Sequence, residues 1–497
     1  MAPPLVARAA GFEGRPALVT PTGVHTYRDL DDASHRVATG LLDGRNDLRE
    51  ARICFLVPPS FEYAAVQWGI WRAGGVAVPL AVSHPAAELS HIVRDAGPEA
   101  VVADPELAGR LEAAVTAAGT RLILTPALQA GGTRPLPDLE PDRRAMMVYT
   151  SGTTGRPKGV VTTHANLVAQ ITSLTLAWEW SPEDRTLLVL PLHHVHGIVN
   201  VLGCALWSGA VCEIQPRFEP EAAWDRLASG ELTVFMAVPT IYGKLIASWD
   251  AAAESVREAR SRGSRRLRLM VSGSAALPVR TLERWKEITG HVLLERYGMT
   301  EIGMALSNPL RGERRPGSVG SPLPGVEVRL VDESGGEVPA GMPGEIEVRG
   351  PAVFLEYWSQ PEATRAAFHD GWFRTGDLAR VEGGRYRILG RSSIDIIKTG
   401  GYKVSALEIE DQLRDHPAVA ECAVVGVPDP EWGERISAAV ELAPGAELSL
   451  DALQAWARER LAPYKLPRAL RCVGSLPRNA LGKIVKPEVW RLFDVES

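Results

Sequence analysis

A segment near the middle of the chain carries the residue types that bind phosphate groups. It reads VYTSGTTGRPKGV from Val148 to Val160, so that hydroxyl side chains, two glycines and Lys158 follow the end of an apolar strand. Glycines let backbone N–H groups approach an anion, hydroxyls add donors, and lysine adds positive charge. The segment is not a Walker A loop, because Pro157 and Gly159 replace that motif's glycine and Ser or Thr. It therefore predicts a polyphosphate ligand; the alternative is a polar turn between a strand and a helix.

A second segment, HVLLERYGMTEI, begins at His291 as a buried strand and ends in charged residues. Arg296 stands where the chain leaves the core, and a buried guanidinium without a partner is costly, so it needs an anion. The anion could be a nearby side chain such as Glu295, or an acidic group on a ligand. Glu301 follows as the hard carboxylate that Mg²⁺ prefers, or else as a favourable acid at a helix N-terminus.

Further motifs follow in a fixed order: SGSAALP from Ser272, YGMTE from Tyr297, RTGDL from Arg374, GRSSIDIIKTGGYKV from Gly390 and PRNALGKIVK from Pro477. Together with the phosphate segment they resemble the adenylate-forming superfamily, which contains acyl-CoA synthetases, luciferases and the adenylation domains of peptide synthetases. The resemblance implies that a carboxylate attacks the α-phosphorus of ATP to give an acyl-adenylate and pyrophosphate, and that a thiol then displaces AMP. It implies ATP, Mg²⁺ and coenzyme A as cofactors.

The resemblance also implies roles for the residues at matching positions. The phosphates would be held by Thr150, Ser151, Gly152, Thr153, Thr154, Gly155 and Lys158. The rest of the nucleotide would contact Gly273, Ser274, Ala275, Glu295, Tyr297, Gly298, Met299, Asp377 and Arg391, with the Tyr297 ring stacked on adenine and with Asp377 and Arg391 on the ribose. The catalytic group would be Lys483, Glu301, Thr300, Lys158 and His194, with Glu301 on the metal. After a rotation of the C-terminal domain, Lys398, Gly400 and Gly401 would line the pantetheine channel. A turn-stabilising role is the alternative for Asp377.

The acyl pocket resembles more narrowly the malonyl-CoA and methylmalonyl-CoA synthetase branch. The predicted substrate-carboxylate residues are Arg296, Lys244, His196, Ser272 and Met304. In that branch the residues matching Arg296 and Lys244 hold the distal carboxylate, which implies malonate first and methylmalonate second. Met304, Val195 and Ile302 would set the room for a 2-methyl group. A packed core position is the alternative for His194 and His196, and a solvated surface position is the alternative for Lys244.

Other functions remain open at this point. The nearest is a synthetase for another short-chain carboxylate, which Arg296 disfavours. An adenylation domain that loads a carrier protein would release pyrophosphate with malonate but form no CoA thioester. A nucleotide-binding module without activity is the third possibility, and the presence of both Lys158 and Lys483 argues against it.

The elements that must position these residues are predicted from the hydrophobic pattern. Runs such as ARICFLVP and RLRLMVSG alternate with helical stretches, which is typical of parallel sheets covered by helices. After about Gly317 the pattern favours antiparallel strands or a small barrel. The predicted fold class is α/β. A large N-terminal domain of helix-covered, mainly parallel sheets plus a small antiparallel β-barrel subdomain spans 1–390, and a small C-terminal α+β domain spans 391–497. The family resemblance implies that the C-terminal domain is mobile, with its hinge near Ser393.

Composition excludes several classes of protein. The chain has 497 residues, 45% of them hydrophobic, which favours a soluble protein of two or three domains. Its net charge of −6, without a basic run, argues against nucleic acid as a partner. No apolar signal segment is present, and the uncharged stretch from Thr186 to Cys212 is broken by polar residues and Pro191, so we expect no membrane partner. Five scattered cysteines predict reduced thiols in the cytoplasm, with the mitochondrial matrix as the alternative. We expect small-molecule substrates and a monomer or homodimer.

Overall fold

The computed structural model describes residues 1–130, 132–150, 157–479 and 482–493, and the backbone alone of Lys403. The strands are β1 (Pro16–Thr20), β2 (Gly23–Thr26), β3 (Arg52–Leu56), β4 (Val76–Pro79), β5 (Ala100–Ala103), β6 (Arg121–Leu124), β7 (Arg144–Thr150), β8 (Lys158–Thr163), β9 (Arg185–Leu188), β10 (Val211–Ile214), β11 (Val234–Ala237), β12 (Leu269–Ser272), β13 (Leu294–Met299), β14 (Gly303–Ser307), β15 (Ser321–Pro322), β16 (Glu327–Val331), β17 (Gly344–Arg349), β18 (Glu356–Tyr357), β19 (Phe368–His369), β20 (Trp372–Glu382), β21 (Arg385–Arg391), β22 (Ile396–Thr399), β23 (Tyr402–Ser405), β24 (Val419–Asp429), β25 (Gly433–Leu442) and β26 (Ala469–Val473).

The α-helices are α1 (Pro4–Ala9), α2 (Tyr27–Leu42), α3 (Phe61–Arg72), α4 (Ala86–Ala96), α5 (Glu112–Ala118), α6 (Thr125–Gln129), α7 (His164–Ala177), α8 (Cys204–Ser208), α9 (Pro220–Ala228), α10 (Pro239–Ala251), α11 (Glu254–Ser264), α12 (Val279–Thr289), α13 (Pro361–Ala366), α14 (Ala406–Leu413), α15 (Leu450–Ala457) and α16 (Lys486–Arg491). Short 3₁₀ turns lie at Ala10–Phe12, Ala108–Arg110 and Pro463–Lys465, and a π-helical turn lies at His196–Gly203.

Two large sheets confirm the predicted parallel, helix-covered architecture. In the first sheet β12, β11, β9, β10 and β1 run parallel, and β13 extends it in parallel to β12. In the second sheet β7, β4, β3, β5 and β6 run parallel. The carboxyl ends of parallel strands meet at one edge, where ligands commonly bind. At this edge of the first sheet, the register between β12 and β13 places Ser272, at the end of β12, beside Glu295.

Two antiparallel pairs bring distant motifs together. Strands β7 and β8 form a hairpin that pairs Thr150 with Lys158, so the predicted phosphate segment is closed at its base. Strands β16, β17, β19, β20 and β21 form the predicted antiparallel unit after Gly317. Within it, β20 and β21 pair Asp377 with Arg391, two residues that the sequence analysis assigned to the ribose.

The C-terminal unit has its own sheet and its own cores. Strands β22 to β26 form one sheet, on which helices α14 and α16 contact β24. The buried side chains of this sheet and its helices cluster separately from those of the N-terminal sheets. From Ala406 onward the order of elements is α14, β24, β25, α15, β26 and α16. The exact division between residues 390 and 391 stays a prediction.

All five cysteines are free thiols, and Cys472 alone among them is exposed. Among the described residues, no helix is both long and apolar enough to cross a membrane.

Candidate active site

A cleft of about 2730 Å³ is lined by the strand ends of the first sheet, the antiparallel unit and the C-terminal unit. Single-ligand pockets measure roughly 300–1,000 Å³, so the cleft has room for more than one substrate. The predicted site residues that line it are Thr150, Lys158, His194, His196, Lys244, Ser274, Ala275, Glu295, Arg296, Tyr297, Gly298, Met299, Thr300, Glu301, Met304, Asp377, Arg391, Lys398 and Lys483. Residues from both ends of the chain thus converge on one space.

Several predicted residues lie elsewhere. Ser272 is buried behind the cleft, and its hydroxyl has no hydrogen-bond partner among the described residues. Gly400 and Gly401 form the turn between β22 and β23 with φ values of +55° and +83°, and they do not line the cleft. The predicted phosphate residues Ser151, Gly152, Thr153, Thr154 and Gly155 lie outside the described residues.

A carboxylate, a tyrosine and the lysine of the phosphate segment meet on one side of the cleft. Tyr357 Oη donates a 3.0 Å hydrogen bond to Oε1 of Glu301, which is 6% exposed. The Lys158 ammonium lies 4.9 Å from the centroid of the same ring. Burial raises the pKa of Glu301. Sequence reasoning missed Tyr357, because it lies in a two-residue strand far along the chain from both partners.

These residues fit a nucleotide-bound Mg²⁺. No group of three His, Cys, Asp or Glu side chains in the described ranges could hold a metal ion without further ligands. Mg²⁺, however, commonly binds through one or two carboxylates and completes its octahedral shell with water and phosphate oxygens. A single buried carboxylate at a cleft wall, next to a lysine, is sufficient for that kind of site.

The predicted ribose residues form a hydrogen-bonded group. Tyr297 Oη donates to Oδ2 of Asp377 at 2.6 Å, and Arg391 Nε donates to Oδ1 at 3.1 Å. A carboxylate has about four acceptor positions, so Asp377 retains capacity for two hydroxyl groups. The Tyr297 ring is held at the cleft wall by its own hydroxyl, as a base-stacking surface must be.

The buried guanidinium of Arg296 lacks an anionic partner. The residue is 3% exposed, and among the described residues no carboxylate lies within ion-pairing distance of it. Its Nη2 donates a long 3.4 Å bond to Ser274 Oγ, and its Nε has no partner. Burial lowers the pKa of Arg296 to about 9. The guanidinium lies directly on Gly273, where a Cβ would stand 2.4 Å from Cζ of Arg296. Glycine at 273 is therefore required for this placement.

Glu295 does not neutralise Arg296. The sequence had left open whether Glu295 or an acidic group on a ligand is the anion, and Glu295 is now excluded. Successive side chains of a strand point to opposite faces of the sheet. Oε1 of Glu295 accepts a 3.4 Å bond from the backbone of Leu277, and Oε2 has no partner among the described residues. Burial raises the pKa of Glu295 to about 8.

Two neutral histidines and a lysine complete the surroundings of Arg296. Burial, and then Arg296, lower the pKa of His196 far below its usual value; its Nδ1 lies 3.2 Å from Ser274 Oγ. Burial, and then Lys483, lower the pKa of His194 to about 4. Burial and the nearby Arg296 and Arg391 lower the pKa of Lys483. Like charges facing one space attract an anion.

Of the remaining residues predicted for the acyl pocket, some line the cleft and one does not. Lys244 is exposed on α10 and lines the cleft, and Val195 and Met304 line it as well. The expectation for Ile302 was wrong: its side chain packs in the core of the antiparallel unit and not at the cleft. Ile302 lies in the turn that joins β13 to β14, whereas Met304 lies on β14, so the two side chains have different surroundings.

Comparison with known proteins agrees with this arrangement. The chain matches the AMP-binding enzyme family over residues 5–358 and the AMP-binding enzyme C-terminal domain over residues 408–483. The chain belongs to the AMP-binding enzyme family.

Among relatives in the AMP-binding enzyme family, the malonate–CoA ligase ACSF3, mitochondrial, of Mus musculus is 49% identical over 98% of this chain and 90% of its own length. The ATP-bound structure of MatB from Rhodopseudomonas palustris superposes with a TM-score of 0.92 at 34% identity, and all of both chains is covered. The apo structure of MatB, at 35% identity with 100% of both chains covered, gives a TM-score of 0.82. The arrangement described here is thus more similar to the ATP-bound one.

Proposed function

We propose that the protein is an AMP-forming malonate–CoA ligase. It converts malonate, ATP and coenzyme A to malonyl-CoA, AMP and diphosphate through a malonyl-adenylate, and it also accepts methylmalonate. One observation carries the choice of substrate: the buried guanidinium of Arg296 faces the cleft without an anionic partner among the described residues. The relatives named malonate–CoA ligase support the same choice.

A dicarboxylate satisfies both ends of the pocket. One carboxylate of malonate is activated, and the other pairs with Arg296. A hydrogen bond to a charged group contributes about 1.5–3 kcal/mol, whereas acetate would leave the guanidinium buried and unpaired. Lys244 adds a second positive charge from α10. Lysine there makes a point-charge contact where an arginine would bind bidentately.

The other residues perform the chemistry common to adenylating enzymes. Tyr297, Asp377 and Arg391 hold the adenosine, and Lys158 with the segment after Thr150 holds the phosphates. Thr300 and Glu301 would hold a nucleotide-bound Mg²⁺, which would neutralise phosphate charge. Lys483 reaches the reacting carboxylate from the C-terminal unit and stabilises charge as the new P–O bond forms.

The second step uses the same cleft after the C-terminal unit turns about Ser393. Lys398, Gly400 and Gly401 then line the channel for pantetheine. A cytoplasmic location and a monomer or homodimer remain predictions; the mitochondrial relatives make the matrix the alternative compartment.

Pyrophosphate release with malonate, methylmalonate, succinate, acetate and octanoate tests the proposal. We expect malonate to be preferred, with methylmalonate second. Arg296→Gln should lower kcat/KM for malonate by about tenfold to a hundredfold and leave acetate turnover unchanged, because only the dicarboxylate uses the guanidinium.

Three results would contradict parts of the proposal. Equal turnover of acetate and malonate by the unaltered enzyme would remove the substrate assignment. Unchanged malonate kcat/KM in the Arg296→Gln variant would remove Arg296 from it. Pyrophosphate exchange with malonate but no CoA thioester would indicate a carrier-loading adenylation domain.

A further inference from the structure

Residues 354–358, which we call the strap, connect the two halves of the proposed phosphate site. At one end, the backbone N–H of Phe354 donates to the carbonyl of Glu301 at 2.7 Å. At the other, the N–H of Trp358 donates to the carbonyl of Gly159 at 2.8 Å. Between them β18 pairs with β8, the strand that begins at Lys158. The strap therefore contacts Glu301, which is proposed to bind Mg²⁺, and β8, which begins at Lys158, the lysine proposed to bind the phosphates.

Close packing fixes the position of the strap. A Cβ on Gly159 would stand 2.7 Å from Met147 Sδ and 3.2 Å from Trp358 Cβ, so this approach requires glycine. Glu356 in the strap forms an ion pair of 2.8 Å with Arg144 of β7. The strap cannot slide along β8 without losing these contacts.

Tyr357 is the strap residue whose side chain contacts both functional groups. Its hydroxyl donates to Glu301 at 3.0 Å, and the Lys158 ammonium lies 4.9 Å from the centre of its ring. The residue is 8% exposed, and its ring meets Phe354 edge to face with centroids 4.7 Å apart. Phenylalanine would keep the ring contact and lose the hydroxyl bond, and an aliphatic residue would lose both.

We propose that Tyr357 is a positioning residue that holds the Glu301 carboxylate and the Lys158 ammonium in a fixed relation, so that one preorganised unit binds the metal ion and the phosphates. Mg²⁺ tolerates little departure from octahedral geometry, and groups that orient a metal ligand commonly influence affinity. The hydroxyl leaves Oε2 and one lone pair of Oε1 for the metal. This inference rests on the proposed function, because it needs a metal-bound nucleotide at the site.

Nucleotide binding measured with and without metal separates this role from a purely structural one. The probe is a non-hydrolysable ATP analogue, titrated calorimetrically in EDTA and in Mn²⁺, with bound Mn²⁺ followed by electron paramagnetic resonance. We expect Tyr357→Phe to reduce the gain in affinity that Mn²⁺ confers by about tenfold, while affinity in EDTA changes by less than about twofold. Tyr357→Leu should weaken binding in EDTA as well, because the Lys158 ammonium loses the ring.

Tyr27→Phe is the matched control. Tyr27, at the start of α2, is 1% exposed and donates a 2.8 Å bond to the carbonyl of Ala210, and it packs in a different hydrophobic core from Tyr357. The Tyr27→Phe variant should be less thermally stable than the unaltered enzyme, and its affinity for the ATP analogue should be unchanged both in EDTA and in Mn²⁺. A Tyr357→Phe variant with the full Mn²⁺ gain, or with equal losses in EDTA and in Mn²⁺, would overturn the inference. Equal binding of the analogue by the unaltered enzyme with and without Mn²⁺ would also overturn the inference, whereas no binding of the analogue in either condition would count against the proposed function.

Discussion

The ammonium group of Lys483 is buried and lies close to Arg296 and Arg391, and these surroundings determine its pKa. Burial in the cleft disfavours the ammonium form, and Arg296 and Arg391 disfavour it further, so the pKa of Lys483 lies below its ordinary value. Bound carboxylate and phosphate would compensate for these positive charges. The free enzyme therefore holds a lysine that loses its proton more readily than a solvated one does.

The activity should decline on the alkaline side for this reason. The protonated lysine is the active form, and its pKa is lowered, so kcat/KM for malonate should fall at a pH below the ordinary lysine value of 10.5. Lys483→Arg should keep a residual rate and shift the part of the decline that Lys483 causes to higher pH, because arginine has a higher ordinary pKa than lysine. Arg296, whose pKa burial lowers to about 9, contributes its own alkaline decline in both proteins. The measurement is pyrophosphate release across pH at saturating ATP. A decline at the same pH in both proteins would assign it to another group.

Among the elements, α16 determines where the turn between β21 and β22 lies. Lys486, at the start of α16, has its Nζ 2.5 Å from Oδ1 of Asp395 and 2.8 Å from Oε1 of Glu410 on α14. The second oxygen of Asp395 accepts a 3.0 Å bond from the backbone of Arg391. One lysine thus joins two C-terminal helices to the segment that carries a proposed ribose contact.

Lys486→Met should destabilise the C-terminal unit. Asp395 and Glu410 are largely buried, and without Lys486 the Asp395 carboxylate has no cation among the described residues, whereas Glu410 keeps Arg414 at 3.6 Å. Breaking such a buried pair typically costs about 3–5 kcal/mol. We expect a lower midpoint for unfolding of this unit by heat or urea and a slower adenylation step. Lys486→Arg serves as the control, since it keeps the charge. An unchanged midpoint in the methionine variant would show that the network contributes nothing to stability.

The sequence predicted the elements better than it predicted their contacts. The runs around Arg52, Arg185 and Leu269 became parallel strands because strictly local apolar patterns specify buried strands. The bridging role of Tyr357 and the ion pairs of Lys486 were missed, since each depends on partners far apart in the chain. Ile302 was misassigned because it lies in the turn between β13 and β14, where the side-chain alternation of a strand does not apply.

At the scale of the whole molecule, one cleft has to serve two reactions. Lys483 faces Arg296 and His194 in this arrangement, whereas the Gly400–Gly401 turn does not line the cleft. The backbone of Ser392 donates to Gly376 in the N-terminal part at 2.8 Å. Asp395 is held by C-terminal helices. Ser393 and Ile394 lie between the two attachments; the N–H of Ile394 donates to the carbonyl of Arg391 at 3.1 Å, and Ser393 is the predicted hinge position.

Ser393→Pro should impair thioester formation more strongly than adenylation. Proline fixes φ near about −65° and so opposes rotation at this position. In the described residues the backbone N–H of Ser393 donates no hydrogen bond and its φ is not positive, so the present arrangement should survive. We expect malonate-dependent ATP–pyrophosphate exchange to be retained and malonyl-CoA formation to fall by at least about tenfold. Ser393→Ala should retain both. Equal losses of exchange and thioester formation in the proline variant would place the pivot elsewhere.

The sequence by itself determined the general chemistry and most of the secondary structure. Motifs such as VYTSGTTGRPKGV combine residue type and spacing within a few residues, and such local patterns are legible without a fold. It also identified Arg296 as a residue in need of an anion, but left the anion open. Only the tertiary structure showed that Glu295 does not pair with Arg296. The alternation of side chains along β13 separates Glu295 from Arg296. The C-terminal unit places a second cation, Lys483, in the cleft near Arg296. Burial without a counter-charge is a property of the packed molecule, and it is what favours a substrate with two carboxylates.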